Sequence, residues 1–319
     1  LTFSSMDAWS IILFVLGYLF LALVALRLLA SLYRIICVYF LCSRRDLHAR
    51  AGASWAVITG ATDGIGKAYA FELAEQKFDI FLVSRTASKL FETKKEILEK
   101  FPGVNVASYA FDFTAPTHDD YQPLLNELAK IEVGVLVNNV GMAIDCPEAM
   151  HEVEGGIAAL ARISTCNSLP VIILSSSVLE QMVKRKKGVI INIASAAALT
   201  EMAYWNVYSA GKRFMLHLSN ILRQEYSPHG ITVQCITPMG VSTKLKIVDT
   251  IAFFEPSATK FARSAPKTVG VIGETTGYFA HQIQAEMVGL MPTWLADKLM
   301  AIFNLKLRAS IHAKRANKA

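Results

Sequence analysis

The chain has 319 residues, of which 53% are apolar and only 18% charged, with a formal net charge of +6. That length suits one large domain with extensions, and so apolar a composition exceeds an ordinary soluble domain, so part of the chain is expected to meet lipid. The basic excess follows no zinc-finger or basic-zipper pattern, which excludes nucleic acid as a partner and leaves lipid surfaces and a phosphate-bearing cofactor to account for it.

Five cysteines, an odd number without a CxxC pair, argue against a disulfide framework or a zinc site, and no metal is expected.

Residues 8–26 carry no charge over 19 positions. As a helix they would reach about 28 Å, close to the hydrocarbon thickness of a bilayer. A cleaved signal peptide would need a basic leader, whereas Asp7 is the one charge before the run, so a retained anchor is expected. Residues 28–42 form a second apolar stretch with Arg34 in its middle, read as a second, strained span or as a helix lying in the interface. Arg27, Arg34, Arg44, Arg45 and Arg50 follow the first span, which predicts a cytosolic main domain.

Residues 54–59 (SWAVIT) read as a buried parallel strand, and TGATDGIG follows, with Gly60, Gly64 and Gly66 leading into a helix over 65–76. Strand, glycine turn, helix is the setting of a dinucleotide fingerprint, because glycine lets pyrophosphate approach the backbone at a helix N-terminus. The next strand, 79–84, ends in Ser84 and Arg85 where an NAD-selecting fold carries an acid; a guanidinium there suits the 2′-phosphate of NADP(H).

Alternation continues with a helix over 91–100, a strand over 104–111 ending at Asp112, a helix over 124–130 and a strand over 133–138 ending in NNVG. A long helix over 160–187, interrupted at Pro170, precedes strands over 188–193 and 231–236. The pattern predicts an α/β fold, a doubly wound parallel sheet of Rossmann-like type, preceded by the membrane helix. Three segments follow: an anchor and basic linker over 1–50, a dinucleotide-binding catalytic region over 51–245, and a substrate lid with C-terminal extension over 246–319 belonging to the same domain.

Tyr208 and Lys212 stand four apart and share one helix face. A nearby ammonium is expected to lower the phenol's pKa toward working pH. The pair alone carries little weight in a chain with ten tyrosines. Its place gives it weight: Ser195 follows the strand over 188–193, thirteen residues before Tyr208, and 238–243 (PMGVST) follows the next strand, at the sheet edge where α/β proteins bind ligands.

These motifs together resemble the short-chain dehydrogenases/reductases: TGATDGIG matches that family's TGxxxGxG, NNVG its NNAG, Ser195 with YSAGK its Ser-Tyr-Lys set, and PMGVST its P-x-x-V-x-T. The resemblance implies Tyr208 as general acid in reduction, Lys212 as ribose ligand and modulator of Tyr208, Ser195 as partner of the substrate carbonyl, and Asn167 as support of a water-linked proton relay. It implies that Thr59, Gly60, Gly64, Ile65 and Gly66 cradle the cofactor phosphates, that Asp112 contacts adenine, that Asn138, Asn139 and Gly141 line the cofactor floor, and that Val241 and Thr243 hold the carboxamide side.

TDGIGKAYAFELA, MVKRKKGVI and GYFAHQI…MPTWL, with the apolar N-terminus, are similar to the type 3 and type 12 17β-hydroxysteroid dehydrogenases, a branch that includes very-long-chain 3-oxoacyl-CoA reductases, and to invertebrate steroid-dehydrogenase-like members. That implies a place in the endoplasmic reticulum membrane, a lipophilic substrate and a homodimer through the two long helices. A long-chain 3-oxoacyl-CoA leads as substrate, a steroid ketone is the alternative, and a catalytically silent lipid-binding scaffold is a third reading that the intact Ser195, Tyr208 and Lys212 oppose. Met287, Leu290, Trp294, Leu299, Ile302 and Phe303 belong to an apolar tract read as a tunnel wall, or equally as lid packing or a dimer contact.

Overall fold

The structure is a computed structural model that describes residues 7–42, 46–242 and 253–316. Thr243, Arg44 and Arg45 lie outside the described residues. The chain divides into two units, Leu1–Ser43 and Arg44–Ala319.

In the first unit, helix α1 (Ala8–Leu32) passes without a break into a π-helical turn, Tyr33–Leu41. The expected second segment is therefore a continuation of the first. Neither Arg27 nor Arg34 ends the helix, because no proline or glycine follows α1 before Leu41 to break the ladder. The run Ala8–Leu41 is long and apolar enough to cross a membrane, and its apolar side chains are exposed almost throughout. Its roughly 50 Å exceeds a hydrocarbon core of about 30 Å, so a spanning helix would tilt or continue into the headgroups.

The second unit starts with α2 (Leu47–Ala51) and then alternates: β1 (Trp55–Thr59), α3 (Gly64–Glu75), β2 (Asp79–Ser84), α4 (Ala87–Lys100), β3 (Val106–Ala110), α5 (Gln122–Leu128), β4 (Val133–Asn138), α6 (Gly156–Arg185), β5 (Gly188–Ile193), α7 (Asn206–Tyr226), β6 (Ile231–Ile236), α8 (Ala258–Ser264), β7 (Glu274–Thr275), α9 (Phe279–Gly289) and α10 (Thr293–Ala316). The strands form one parallel sheet in the order β3-β2-β1-β4-β5-β6-β7.

The strands look continuously apolar in sequence, yet along most of their length their side chains alternate between two cores, with a break in β4, where Val133 and Val135 face opposite cores beside a register shift. Ala56 and Ile58, Val135 and Val137, and Val189 and Ile191 pack with Leu73 of α3, Leu90 of α4 and Phe261 of α8. Val57, Leu136 and Ile190 pack on the other face with Leu124 of α5 and Leu174 and Val178 of α6.

The expected interruption at Pro170 is absent: α6 runs through it. Proline removes one ladder bond, the one its N–H would give the Cys166 carbonyl. Pro170, Val171, Leu174 and Val178 are all buried, and that packing holds the helix together across the gap. The two-residue β7 escaped notice because so short a segment carries no period.

Order reverses between β1 and β4, where β2 and β3 leave to one side and β5 to β7 to the other. That reversal opens a crevice at the carboxyl ends of β1 and β4, the place where open α/β sheets bind ligands.

Candidate active site

The crevice is stitched by Thr59 and Asn139. The buried Thr59 Oγ1 accepts hydrogen bonds from the Asn139 N–H (2.9 Å) and the Val140 N–H (3.0 Å). Asn139 Nδ2 donates back to the Thr59 carbonyl at 2.9 Å. Both side chains are spent on joining the ends of β1 and β4, so they shape the cofactor floor and leave backbone groups to face a ligand.

Gly66, inside the first turn of α3, is where the glycine pattern is sterically required. A Cβ there would fall 2.3 Å from the Gly60 carbonyl oxygen and 2.4 Å from Asn139 Nδ2. The turn at Gly60 (φ +63°) and the helix start at Gly64 (φ +53°) therefore pack backbone to backbone. The Asp63 side chain caps the Gly64 N–H at 2.8 Å, while Ile65 and Gly66 belong to the first turn, whose N–H groups have no intrahelical partner. Such a helix end favours an anion.

Arg85 is exposed directly after β2, and Asp112 lies exposed after β3 at the same sheet edge, where Ser84 pairs with Ala110. The Asp112 carboxylate accepts from the Thr114 N–H at 3.0 Å. Asn138 lies elsewhere than the cofactor floor: its side chain is buried under the sheet and donates to Ser175 Oγ (3.1 Å) and Asn192 Oδ1 (2.8 Å). It is the last residue of β4 and faces the core because its neighbour Asn139 faces the crevice.

Ser195 follows β5 in extended conformation and caps a short turn, Ala196–Ala198, its Oγ accepting from the Ala197 N–H at 3.2 Å. Tyr208 sits in the first turn of α7, with the Ser195 hydroxyl beside its phenol. Lys212, one turn on, is buried; its Nζ donates to the Ile193 carbonyl at 3.0 Å and lies 5.9 Å from the Tyr208 ring centroid. Burial pushes the Lys212 ammonium down to about 8. Burial also raises the Tyr208 phenol above its ordinary value, and the neighbouring Ser195 hydroxyl offsets only part of that. This corrects the expectation of a lowered phenol pKa. Lys212 hangs over the ring and spends its hydrogen bond on backbone, so desolvation wins at the hydroxyl. The phenol is consequently held protonated, ready to give its proton to an acceptor.

Asn167, buried in the middle of α6, brackets Met142: its Oδ1 accepts from the Met142 N–H (2.9 Å) and its Nδ2 donates to the Met142 carbonyl (2.8 Å). Between Asn167 and Lys212 lies Gly141, where a Cβ would stand 2.9 Å from Asn167 Oδ1 and 3.1 Å from Lys212 Nζ. The structure thus gathers Asn167, Gly141, Lys212, Tyr208 and Ser195 at one place. Val241 packs partly buried against the core below.

Sequence reasoning missed His281 of α9. Its buried ring accepts from the Met239 N–H (3.4 Å) at Nδ1, and its Nε2 lies 3.0 Å from the Gly240 carbonyl and 3.1 Å from that of Phe254. It pins the segment after β6, and burial lowers its pKa to about 4, so it works as a neutral ring. Nothing short-range in the sequence links it to a segment some forty residues earlier.

Among the described residues, several positions of the apolar tract are exposed. Met287, Leu290, Trp294, Leu299, Ile302 and Phe303 are exposed, on the outer side of α9 and α10. The inner side of α10 is polar: Asp297, Asn304, Arg308 and His312 reach Glu201, Trp205 and Glu148.

Residues 54–250 match the family model for short chain dehydrogenase. The chain belongs to the short-chain dehydrogenase family. It is an oxidoreductase of that family, and similarity continues beyond the family core. The chain is 52% identical to a very-long-chain 3-oxoacyl-CoA reductase of Caenorhabditis elegans, over 95% of this chain and 96% of that one. It is 39% identical to the Mus musculus very-long-chain 3-oxoacyl-CoA reductase, over 92% and 93%. A steroid-dehydrogenase-like protein of C. elegans is 49% identical over 88% and 89%. Among solved structures, the short-chain dehydrogenase from Sphingobium yanoikuyae in complex with NADPH superposes with a TM-score of 0.58 at 28% identity, covering 66% of this chain and 82% of that one.

Proposed function

We propose that this chain reduces a long-chain 3-oxoacyl-CoA with NADPH, as a step of fatty-acid elongation at the endoplasmic reticulum membrane. The observation that carries the substrate class is near-full-length identity, 52% and 39%, to two very-long-chain 3-oxoacyl-CoA reductases. A site complete in Ser195, Tyr208 and Lys212 supports turnover over a silent scaffold, and the bilayer-length apolar helix supports a membrane setting.

The residues fit NADP(H). Gly60 and Gly66 let the turn pack backbone to backbone against the start of α3, where a Cβ at Gly66 would fall 2.3 Å from the Gly60 carbonyl oxygen; the first turn of α3 offers N–H groups to a pyrophosphate, and Arg85 stands exposed at the end of β2 for a 2′-phosphate. When bound, the nicotinamide supplies the hydride. Tyr208 then gives its phenolic proton to the substrate's carbonyl oxygen, so that hydride and proton together turn C=O into CH–OH. The Ser195 hydroxyl donates a hydrogen bond to that same oxygen as charge grows on it. Lys212, with a pKa near neutrality, steadies the phenolate left on Tyr208 and can return a proton to it. Asn167 fixes Met142, and with it the floor beside Lys212.

A steroid ketone is the second reading, favoured by the similarity to steroid-dehydrogenase-like proteins. The exposed apolar face of α10 suits a lipophilic substrate of either kind, since it offers a surface to lipid. A homodimer is proposed through the groove between α6 and α7, which Val171, Ile172, Leu179, Leu218 and Leu222 line. The deciding experiment is NADPH oxidation by the detergent-purified protein, offered a long-chain 3-oxoacyl-CoA and a 17-ketosteroid in parallel. Turnover of the thioester establishes the first reading. Turnover of the steroid alone replaces it with the second.

A further inference from the structure

The turn that delivers Tyr208 into the site is strained and tied down. Tyr204 has φ +71°, a left-handed conformation that a tyrosine adopts only at a cost. Three bonds hold the residues around it. The buried Asn304 of α10 donates from Nδ2 to the Ala203 carbonyl at 2.9 Å and accepts at Oδ1 from the Trp205 indole N–H at 3.2 Å. The Glu148 N–H donates to the Tyr204 carbonyl at 2.9 Å.

Asn304 is out of place by local preference. It stands inside a 24-residue helix, between Phe303 and Leu305, where an asparagine is a weak helix former. It is fully buried while both of those neighbours are exposed. Its amide reaches one residue on each side of the strained Tyr204, so it acts as a clamp that α10 supplies across about a hundred residues of sequence. The Trp205 ring that it orients is itself buried and lies 6.0 Å, centroid to centroid, from the ring of Tyr208. Ile144, Val153 and Ile163 pack with Trp205, and Tyr208 and Leu307 of α10 close on the same cluster.

We propose that Asn304 is a positioning residue for the reduction. By holding the Trp205 indole and the strained turn, it fixes the height and tilt of Tyr208 and sets the wall of the substrate chamber beside it. This rests on the reading of Tyr208 as proton donor. Through Asn304, the C-terminal helix becomes part of the catalytic geometry and more than a cover.

The test uses the full chain in detergent, with Asn304→Leu, Asn304→Asp, Trp205→Phe and the double variant Trp205→Phe with Asn304→Leu. Asn304→Asp keeps the acceptor for the indole but replaces the donor to the Ala203 carbonyl with a carboxylate oxygen, so it should recover only part of what Asn304→Leu loses. Asn304→Leu should lower kcat with a long-chain 3-oxoacyl-CoA by roughly tenfold to a hundredfold, the scale of a misplaced reacting group, while the KM for NADPH stays within about twofold. The double variant should be no slower than the worse single one, because one clamp has been broken twice. A substrate-free readout accompanies the kinetics: in protein labelled with 5-fluorotryptophan, the 19F resonance of Trp205 should be single and narrow in the wild type and broadened or split in Asn304→Leu. Additive losses, an unchanged Trp205 resonance, or a loss of kcat that the double variant regains as it regains thermal stability would overturn the proposal. A Tyr208→Phe control separates the two readings: turnover that survives it sinks the proton-donor assignment, while its loss leaves the Asn304 result to be judged by itself.

Discussion

Lys212 Nζ sits 5.9 Å from the centroid of the Tyr208 ring and gives its hydrogen bond to the Ile193 carbonyl, 3.0 Å away. The two residues read as one acid–base unit in sequence, but in the folded protein they are coupled through space and anchored separately. Lys212 is a buried cation whose pKa, about 8, lies well below its ordinary 10.5. Its folded pKa is depressed, so at neutral pH its charge opposes folding, by about 3 kcal/mol at most.

Lys212→Met should therefore raise the thermal midpoint while abolishing turnover. In the wild type that penalty should fade as pH rises from about 8 toward 10.5, because there the unfolded chain still binds the proton that the folded one has released. Chemical denaturation of wild type and variant at pH 7 and pH 9.5 checks both points. A variant less stable than wild type at pH 7 would mean that the Ile193 hydrogen bond outweighs desolvation.

Gly66→Ala should cripple cofactor binding more than folding. The added methyl would lie 2.3 Å from the Gly60 carbonyl oxygen, so the glycine turn and not the sheet must move. NADPH affinity, read by nucleotide fluorescence, should fall by roughly a hundredfold, about 3 kcal/mol of lost binding. Retention of wild-type affinity would show that the pyrophosphate does not rest on this turn.

Arg85→Asp should invert the nucleotide preference. The exposed guanidinium at the end of β2 has no acidic competitor at that position in the sequence, and a carboxylate there would repel a 2′-phosphate and accept from a ribose hydroxyl. Kd measured for NADPH and NADH should shift in opposite directions, by roughly tenfold each, on the scale of one charge-assisted hydrogen bond. An unchanged ratio would remove Arg85 from the site.

His281 makes the region after β6 sensitive to acid. Its neutral ring is bonded to Met239, Gly240 and Phe254, and burial has lowered its pKa from 6.5 to about 4. A depressed folded pKa contributes stability that is complete above about 6.5 and is lost as pH falls toward 4, by about 3 kcal/mol over that window. His281→Gln should flatten that part of the stability–pH curve, and an unchanged slope would assign the acid sensitivity elsewhere.

Much of this was legible in the sequence because it is local. The strands β2, β4, β5 and β6 fall where apolar runs bounded by turns put them, and the glycine turn, Ser195, Tyr208 and Lys212 lie within motifs of fixed spacing. Pro170 misled because proline opposes a helix locally while the buried face of α6 sustains it globally. Asn138 and Asn139 are adjacent and chemically identical, and only the pleat of β4 sends one to the core and the other to the crevice. His281 and Asn304 act on segments some forty and a hundred residues away, and no period or motif carries contacts of that span. The apolar tract on α9 and α10 was visible as composition, but its outward direction depends on the polar clamp on the other side of α10.

The proposed reduction rests on Tyr208 as the proton donor. The most direct measurement is NADPH oxidation with a long-chain 3-oxoacyl-CoA by wild type and Tyr208→Phe, together with NADPH binding to both. If Tyr208 supplies the proton, the variant binds NADPH with nearly unchanged affinity and loses turnover by at least roughly a thousandfold, the scale of a removed general acid. A variant that binds NADPH and still turns over within about tenfold of wild type would contradict it.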